Sequence, residues 1–312
     1  MFCIVSFVVL SIMSIFSASN RQLAREALDC VFRRVTLRPC NTGFDEKIKA
    51  KLLGVVITRT EKGARFLNKN FELLSWISFI IMLVASFYFI RGLFLFYTTG
   101  SCNGVNNTGF CVFDPTGSNN QTSANEACPV PIPGQDNSPT LKGIDLSPWL
   151  RVEGSDGSEI VMIGCYHCDY TRESWPIIQK LVDRFDPSFT YINVPTKEPD
   201  DSFTRLQVCV NTDYPEIASD FNNAMFAHPK ADLDDPQKLD SILTSLNMDA
   251  DKLNACVESP ETKDKVVSML NDISLTRYPG TPTIFIGDEV FVGPKPFRVY
   301  AIALKGFFYW MK

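Results

Sequence analysis

The hydrophobic pattern divides the chain into two unlike parts. Phe2 to Ala18 contains no charged residue, and neither does Leu73 to Ile90. A membrane-spanning helix needs an apolar run of about 17–25 residues. The pattern therefore predicts one membrane helix over 2–19 and a second over 72–97. Trp76, Tyr88 and Tyr97 suit a membrane–water interface, and Arg91 can reach outward from the second helix. Between the two runs, Ala24, Leu28, Val31 and Val35 recur at helical spacing behind an Asn20 cap. A second helical pattern runs from about Asp45 to Val56, after the breaker Arg38-Pro39-Cys40-Asn41-Thr42-Gly43.

Beyond residue 142 the pattern alternates between strand and helix. Glu159–Gly164 reads as a buried strand, Cys165 to about Phe185 as a helix bent at Pro176, and Phe189–Val194 as a second strand. Residues 201–278 are helical in pattern, broken near Pro229 and Pro236, with a long helix opening at Pro260-Glu261-Thr262. Thr283–Ile286 and Glu289–Val292 form a hairpin around Gly287-Asp288. An amphipathic helix follows over Pro296–Trp310. Residues 99–142 are rich in Asn, Gly, Ser, Thr and Pro and hold no period, which reads as a linker or a loosely stapled collar. The domain scheme is a membrane region over 1–98, a cysteine-containing linker over 99–142 and an α/β domain over 143–312.

Charge adds an orientation. Residues 1–98 carry a net +7 and residues 99–312 a net −12. The loop 20–70 holds 12 Lys/Arg against 5 Asp/Glu. A short basic loop stays on the cytoplasmic side, which puts residues 99–312 outside a two-pass cell membrane anchor. The acidic part has no basic patch with interleaved aromatics, so nucleic acid is excluded as a partner. The lipid bilayer is the expected one.

Ten cysteines bring in chemistry. Those beyond the membrane runs fit an oxidising compartment. Cys102 and Cys111 can close a nine-residue loop, which leaves Cys128 without an obvious partner. Cys30 and Cys40, ten apart, are either a metal or redox pair or ordinary packing thiols. Asn106-Asn107-Thr108 and Asn120-Gln121-Thr122 match the glycosylation pattern. The strongest signal is Cys165-Tyr166-His167-Cys168 after the strand. Two thiols three residues apart can form a small reversible disulfide, and a helix N-terminus and an imidazole both favour the reactive thiolate. A zinc site built from Cys165, His167 and Cys168 lacks a second ligand pair at regular spacing, so no metal is expected. His228 reads as a surface-loop histidine. Asp156, Asp169 and Glu173 read as solvated carboxylates.

The order of strand, C-x-x-C helix, strand, helical stretch, proline-led hairpin and helix resembles the thioredoxin fold. More specifically, it resembles the DsbA-like branch, which carries a helical insertion, here about 200–278. Cys165-Tyr166-His167-Cys168 and Gly280-Thr281-Pro282-Thr283-Ile284-Phe285-Ile286 carry the resemblance, which covers about 145–312.

The resemblance implies roles. Cys165 is the exposed attacking cysteine, Cys168 the more buried resolving one, and His167 the residue that stabilises the thiolate. Pro282 is cis, and Thr281 presents backbone groups to a substrate peptide, with Tyr166 at the same surface. Cys209 and Cys256 lie in segments that are disulfide-linked in some members. The redox group is the Cys165–Cys168 disulfide itself, with no other cofactor. Two departures stand out. Tyr166 replaces a common proline, and Gly164 stands where an aromatic or polar residue is common. The implied activity is a membrane-tethered thiol-disulfide oxidoreductase that oxidises or isomerises cysteines of exported proteins, with a membrane quinone-linked redox partner. The alternatives are a membrane-linked thiol reductase and a non-catalytic client-binding module.

Overall fold

A computed structural model of the chain describes residues 18–36, 49–50, 54, 61–107, 109–121, 138–195 and 201–311. It divides into two compact units, Met1–Arg91 and Gly92–Lys312.

In the first unit, α1 spans Ala18–Val35, α2 spans Glu61–Lys69, and α3 begins at Phe71 and runs to Thr99. The buried positions of α1 are Ala24, Ala27 and Cys30, while Leu28 is exposed, so the inward face is rotated from the one the apolar period predicts. Cys30 is disulfide-bonded, which removes it from the packing thiols. The helix expected over 45–56 lies largely outside the described residues, as do Cys40, Cys128 and residues 2–17 of the predicted first membrane helix. α3 is the single helix among the described residues that is long and apolar enough to cross a membrane.

The second unit is built on a five-stranded sheet in the order β1-β3-β2-β4-β5. Its strands are β1 (Arg151–Val152), β2 (Glu159–Gly164), β3 (Ser188–Asn193), β4 (Thr283–Ile286) and β5 (Glu289–Val292). β2 and β3 pair in parallel, and the other three pairings are antiparallel. The two-residue β1 is too short to leave a period in the sequence.

Alternation along β2 serves two cores. Ile160 and Met162 face α4 (Asp169–Phe185) and the insertion, whereas Val161 and Ile163 face the layer that includes Val266, Met269 and Ile273. Both faces being covered explains the unbroken apolar run of this strand.

The insertion comprises α5 (Ser202–Asp213), α6 (Ala218–Ala227), the short α7 (Lys230–Leu233), α8 (Pro236–Ser245), α9 (Ala250–Glu258) and α10 (Pro260–Ser274). Asp235, Asp249 and Ser259 cap α8, α9 and α10 by accepting from backbone N–H groups of the first turn. A disulfide between Cys209 and Cys256 joins α5 to α9. The final helix, α11, is Phe297–Lys305, shorter than its apolar period predicts. Gly306, at φ 85°, ends it and leads into a tight turn over Tyr309–Met311.

Residues 100–121 are more than a linker. They are stapled by a Cys102–Cys111 disulfide and bound to the domain edge. The Asn106 amide donates to the Val290 carbonyl at 2.7 Å and accepts from the Val292 N–H at 2.7 Å, so one side chain occupies the outer edge of β5 as a neighbouring strand would. Asn120 is likewise engaged, donating to the Asn107 carbonyl and accepting from Lys295. The Lys295 side chain is buried, and its ammonium also donates to the carbonyls of Asn119 and Val292. Burial lowers its pKa to about 7, opposed by the charge of Asp114.

Candidate active site

Cys165 follows the last residue of β2, and Cys168 is the N-cap of α4, so the two cysteines occupy the turn between them. The expected helix thus begins four residues late. The turn is closed by the Cys168 N–H donating to the Cys165 carbonyl at 3.2 Å, and the Arg172 N–H donates to the Cys168 carbonyl at 3.0 Å to start the helix. Both cysteines are thiols here, and each is 5% exposed. The expected contrast between an exposed Cys165 and a buried Cys168 is therefore absent. Their positions still differ, because Cys168 sits at the helix N-terminus itself, where partial positive charge favours a thiolate.

Gly164 is explained by crowding. A Cβ at this position would lie 2.6 Å from Thr171 Cγ2 and 2.9 Å from Tyr191 Cε2. The close approach lets Thr171 Oγ1 accept from the Cys165 N–H at 3.4 Å. The Asn193 side chain, at the end of β3, accepts from the Tyr166 N–H at 3.1 Å, which fixes the other side of the turn.

Tyr166 is not at the substrate surface. Its side chain is fully buried, its hydroxyl donates to Asn222 at 2.6 Å, and its ring lies 5.1–6.4 Å from those of Tyr191, Phe203, Phe221 and Phe226. Burial pushes its phenol pKa well up. The tyrosine is the plug that seats the turn on the insertion. His167, in contrast, is part-exposed. Its Nε2 lies 2.9 Å from Asp234 Oδ1, and its ring is 4.7 Å from that of Phe203.

Arg172 belongs to no motif in the sequence. Its guanidinium donates to the carbonyls of Tyr166 (2.7 Å), Met225 (3.2 Å), Phe226 (3.0 Å) and His228. It therefore ties the cysteine turn to the end of α6, where helix carbonyls lack partners of their own. Burial lowers its pKa, opposed in decreasing order by the charges of Asp169, Tyr191 and Cys165, so the guanidinium and a Cys165 thiolate favour one another. His228, read as a plain loop residue, contributes its backbone carbonyl to this clamp. Lys230 pairs with Asp169, whose carboxylate stays largely exposed to solvent. The only sequence signal for the clamp is an arginine one helical turn after Cys168.

The Thr281–Pro282 peptide is cis, and both residues are buried. β2 and β4 pair as far as Ile163 with Thr283. The cis peptide therefore precedes β4 at the same end of the sheet at which β2 leads into the cysteine turn. Thr281 Oγ1 is buried with no hydrogen-bond partner among the described residues. The Pro282 carbonyl accepts from the Gly293 N–H at 2.9 Å. The stapled segment also reaches this rim. Gln121 accepts from the Tyr170 hydroxyl at 2.7 Å, and a Cβ on Gly293 would lie 2.4 Å from the Gln121 carbonyl oxygen. Among the described residues, no group of three or more His, Cys, Asp and Glu side chains could hold a metal ion.

Residues 210–305 match the family model of the DSBA-like thioredoxin domain, a span that includes Thr281-Pro282 and stops short of Cys165. Over that span the chain is similar to DsbA-like thioredoxin domains, and its second unit has an α/β thioredoxin-like fold. Such domains work through a redox-active disulfide of their own and need no external cofactor.

No curated protein matches the chain in sequence. Similar solved structures include a thioredoxin-like oxidoreductase from Silicibacter pomeroyi DSS-3, at 19% identity and a TM-score of 0.44, covering 50% of this chain and 90% of that one. The thiol-disulfide exchange protein alpha-DsbA2 from Wolbachia pipientis is 22% identical with a TM-score of 0.41, covering 50% and 84%. BdbD from Bacillus subtilis is 20% identical with a TM-score of 0.41, covering 53% and 93%.

Proposed function

We propose that Cys165 and Cys168 are the redox pair of a thiol-disulfide oxidoreductase, tethered to a membrane through α3, that oxidises cysteines of exported proteins. The observation that carries the reading is the dithiol turn at the head of α4, at the end of the sheet where the cis Thr281–Pro282 peptide leads into β4. The site offers a nucleophile, an electropositive helix end and an adjacent extended backbone on which a peptide can pair. The basic loop 20–70 favours the cytoplasmic side for itself and the outer side for the domain.

The chemistry balances within client and enzyme. A client thiolate attacks Cys165 Sγ of the oxidised pair, the Cys165–Cys168 bond breaks, and Cys168 leaves as a thiolate. A second client thiolate then attacks the client sulfur bound to Cys165, forming the client disulfide and releasing Cys165 as a thiolate. Two electrons pass to the enzyme, and a membrane quinone-linked partner is the proposed acceptor that restores the disulfide.

The test uses single-cysteine variants. Cys168→Ser should trap clients as mixed disulfides on Cys165, and Cys165→Ser should trap none. If neither variant captures a client, a binding module replaces the enzyme. The potential of the pair decides direction: about −120 mV marks an oxidant and about −270 mV a reductase.

A further inference from the structure

We propose that a cluster of aromatic side chains where α3 ends seats the catalytic domain directly on the polar–apolar boundary of the bilayer; this rests on the reading of α3 as a membrane helix. Single exposed apolar residues are ordinary on a protein surface, but a contiguous group marks a contact face. Here three segments distant in sequence converge. Phe94 and Tyr97, in the last turns of α3, are 56% and 36% exposed. Phe307 stacks on Phe94 with ring centroids 6.3 Å apart, and lies 5.9 Å from Tyr97. Phe308 and Trp310 follow it in mutual ring contact, 61% and 47% exposed. From the stapled loop, Phe113 packs 5.5 Å from Phe96, and Phe110, three residues earlier in the same disulfide-stapled segment, is 77% exposed.

The cluster is fixed to the domain from behind. The Arg298 guanidinium donates to the carbonyls of Tyr97 (3.2 Å) and Phe96 (3.4 Å) and lies over both rings, so a cation caps the C-terminal end of α3. The Tyr309 ring turns back to Phe297 and to Arg184, which leaves Phe308 and Trp310 pointing away from the core.

A lipid interface fits this face for two reasons. At about 1.5 Å per residue, the 29 residues of α3 extend well past a hydrocarbon core of ~30 Å, so its last turns fall at headgroup depth. Tryptophan and tyrosine beside basic residues are also the composition of that layer. The consequence is a domain held flat on the membrane, with clients limited to chains presented close to its surface.

Tryptophan quenching in the full chain tests this. The protein is reconstituted into phosphatidylcholine vesicles with brominated acyl chains. Trp149 and Trp175 are buried in the domain and give a protected background. The Trp76 and Trp310 contributions are separated with Trp76→Phe and Trp310→Phe. Both contributions should lose most of their emission. If Trp76 is quenched and Trp310 is not, the tether stands and the seating is wrong, and a second copy or a client covers the face instead. If neither is quenched, the tether reading falls too. Replacing Phe110 and Phe308 together with Ser should abolish the quenching of Trp310 and leave that of Trp76 intact; persistent Trp310 quenching in that variant overturns the role of the cluster.

Discussion

Replacing Arg172 with Met separates two effects that the structure joins in one side chain. The first is mechanical. The guanidinium serves four backbone carbonyls, from Tyr166 in the cysteine turn and from Met225, Phe226 and His228 in the insertion. A buried acceptor left without a donor costs ~1–3 kcal/mol. Arg172 is part-exposed and water can reach some of these oxygens, so the expected loss is about 3 kcal/mol, well short of the sum. With a urea dependence of about 2–3 kcal/mol/M, the unfolding midpoint falls by roughly 1 M.

The second effect is electrostatic. Removing a cation that favours the Cys165 thiolate raises the thiol pKa, weakens the reduced state and makes the pair more reducing. Each unit of that rise is about 1.4 kcal/mol, or ~30 mV for a two-electron couple. Arg172→Lys keeps the charge and loses the planar fork. It should leave the thiol pKa close to that of the unaltered chain while losing most of the clamp's contribution to stability. Urea unfolding of the detergent-solubilised chain, followed by tryptophan fluorescence, reads the first effect. The pH dependence of alkylation reads the second. A stable Arg172→Met variant refutes the clamp, and an unchanged thiol pKa in that variant refutes the coupling.

Three further outcomes follow from the packing. Gly164→Ala forces a methyl group against Thr171 and Tyr191 and should cost about 1–3 kcal/mol in thermal or urea unfolding; a change within ~0.5 kcal/mol would show that the turn can relax. Changing Cys209 and Cys256 together to Ala opens a crosslink with a sequence separation of 47 residues, worth roughly 4 kcal/mol in the chain-entropy model; a loss below ~1 kcal/mol in the same assay would contradict it. Lys295 binds a proton more weakly folded (pKa about 7) than unfolded (~10.4), so its penalty is complete below pH ~7 and fades as pH rises towards ~10. Stability should rise across that window, and Lys295→Met should flatten the rise; an unchanged slope would show that the three acceptors keep the ammonium charged.

Much of this molecule is written locally. The unbroken apolar run of β2 marks a strand covered on both faces, and Gly287-Asp288 between two short apolar runs marks a hairpin. The two cysteines beside Gly164, Thr281-Pro282 and the pairing of Cys209 with Cys256 were all legible, the last two through resemblance to a known fold. Each depends on neighbours a few positions away or on a motif with fixed spacing.

What the tertiary structure decided is where side chains of ambiguous character end up. A tyrosine between two cysteines reads alike whether it meets a client or the core, and only the convergence of Phe203, Phe221, Phe226 and Asn222 from the insertion buries Tyr166. Arg172 reads as a helix-surface charge until α6 brings carbonyls from 53–56 residues away within its reach. Asn106 reads as a linker residue and Lys295 carries no signal until their segments meet at β5. Periodicity and spacing are set by the backbone within a turn or two. Burial, hydrogen-bond partners and the charge next to a thiol are set by segments that meet only when the sheet and its insertion have closed.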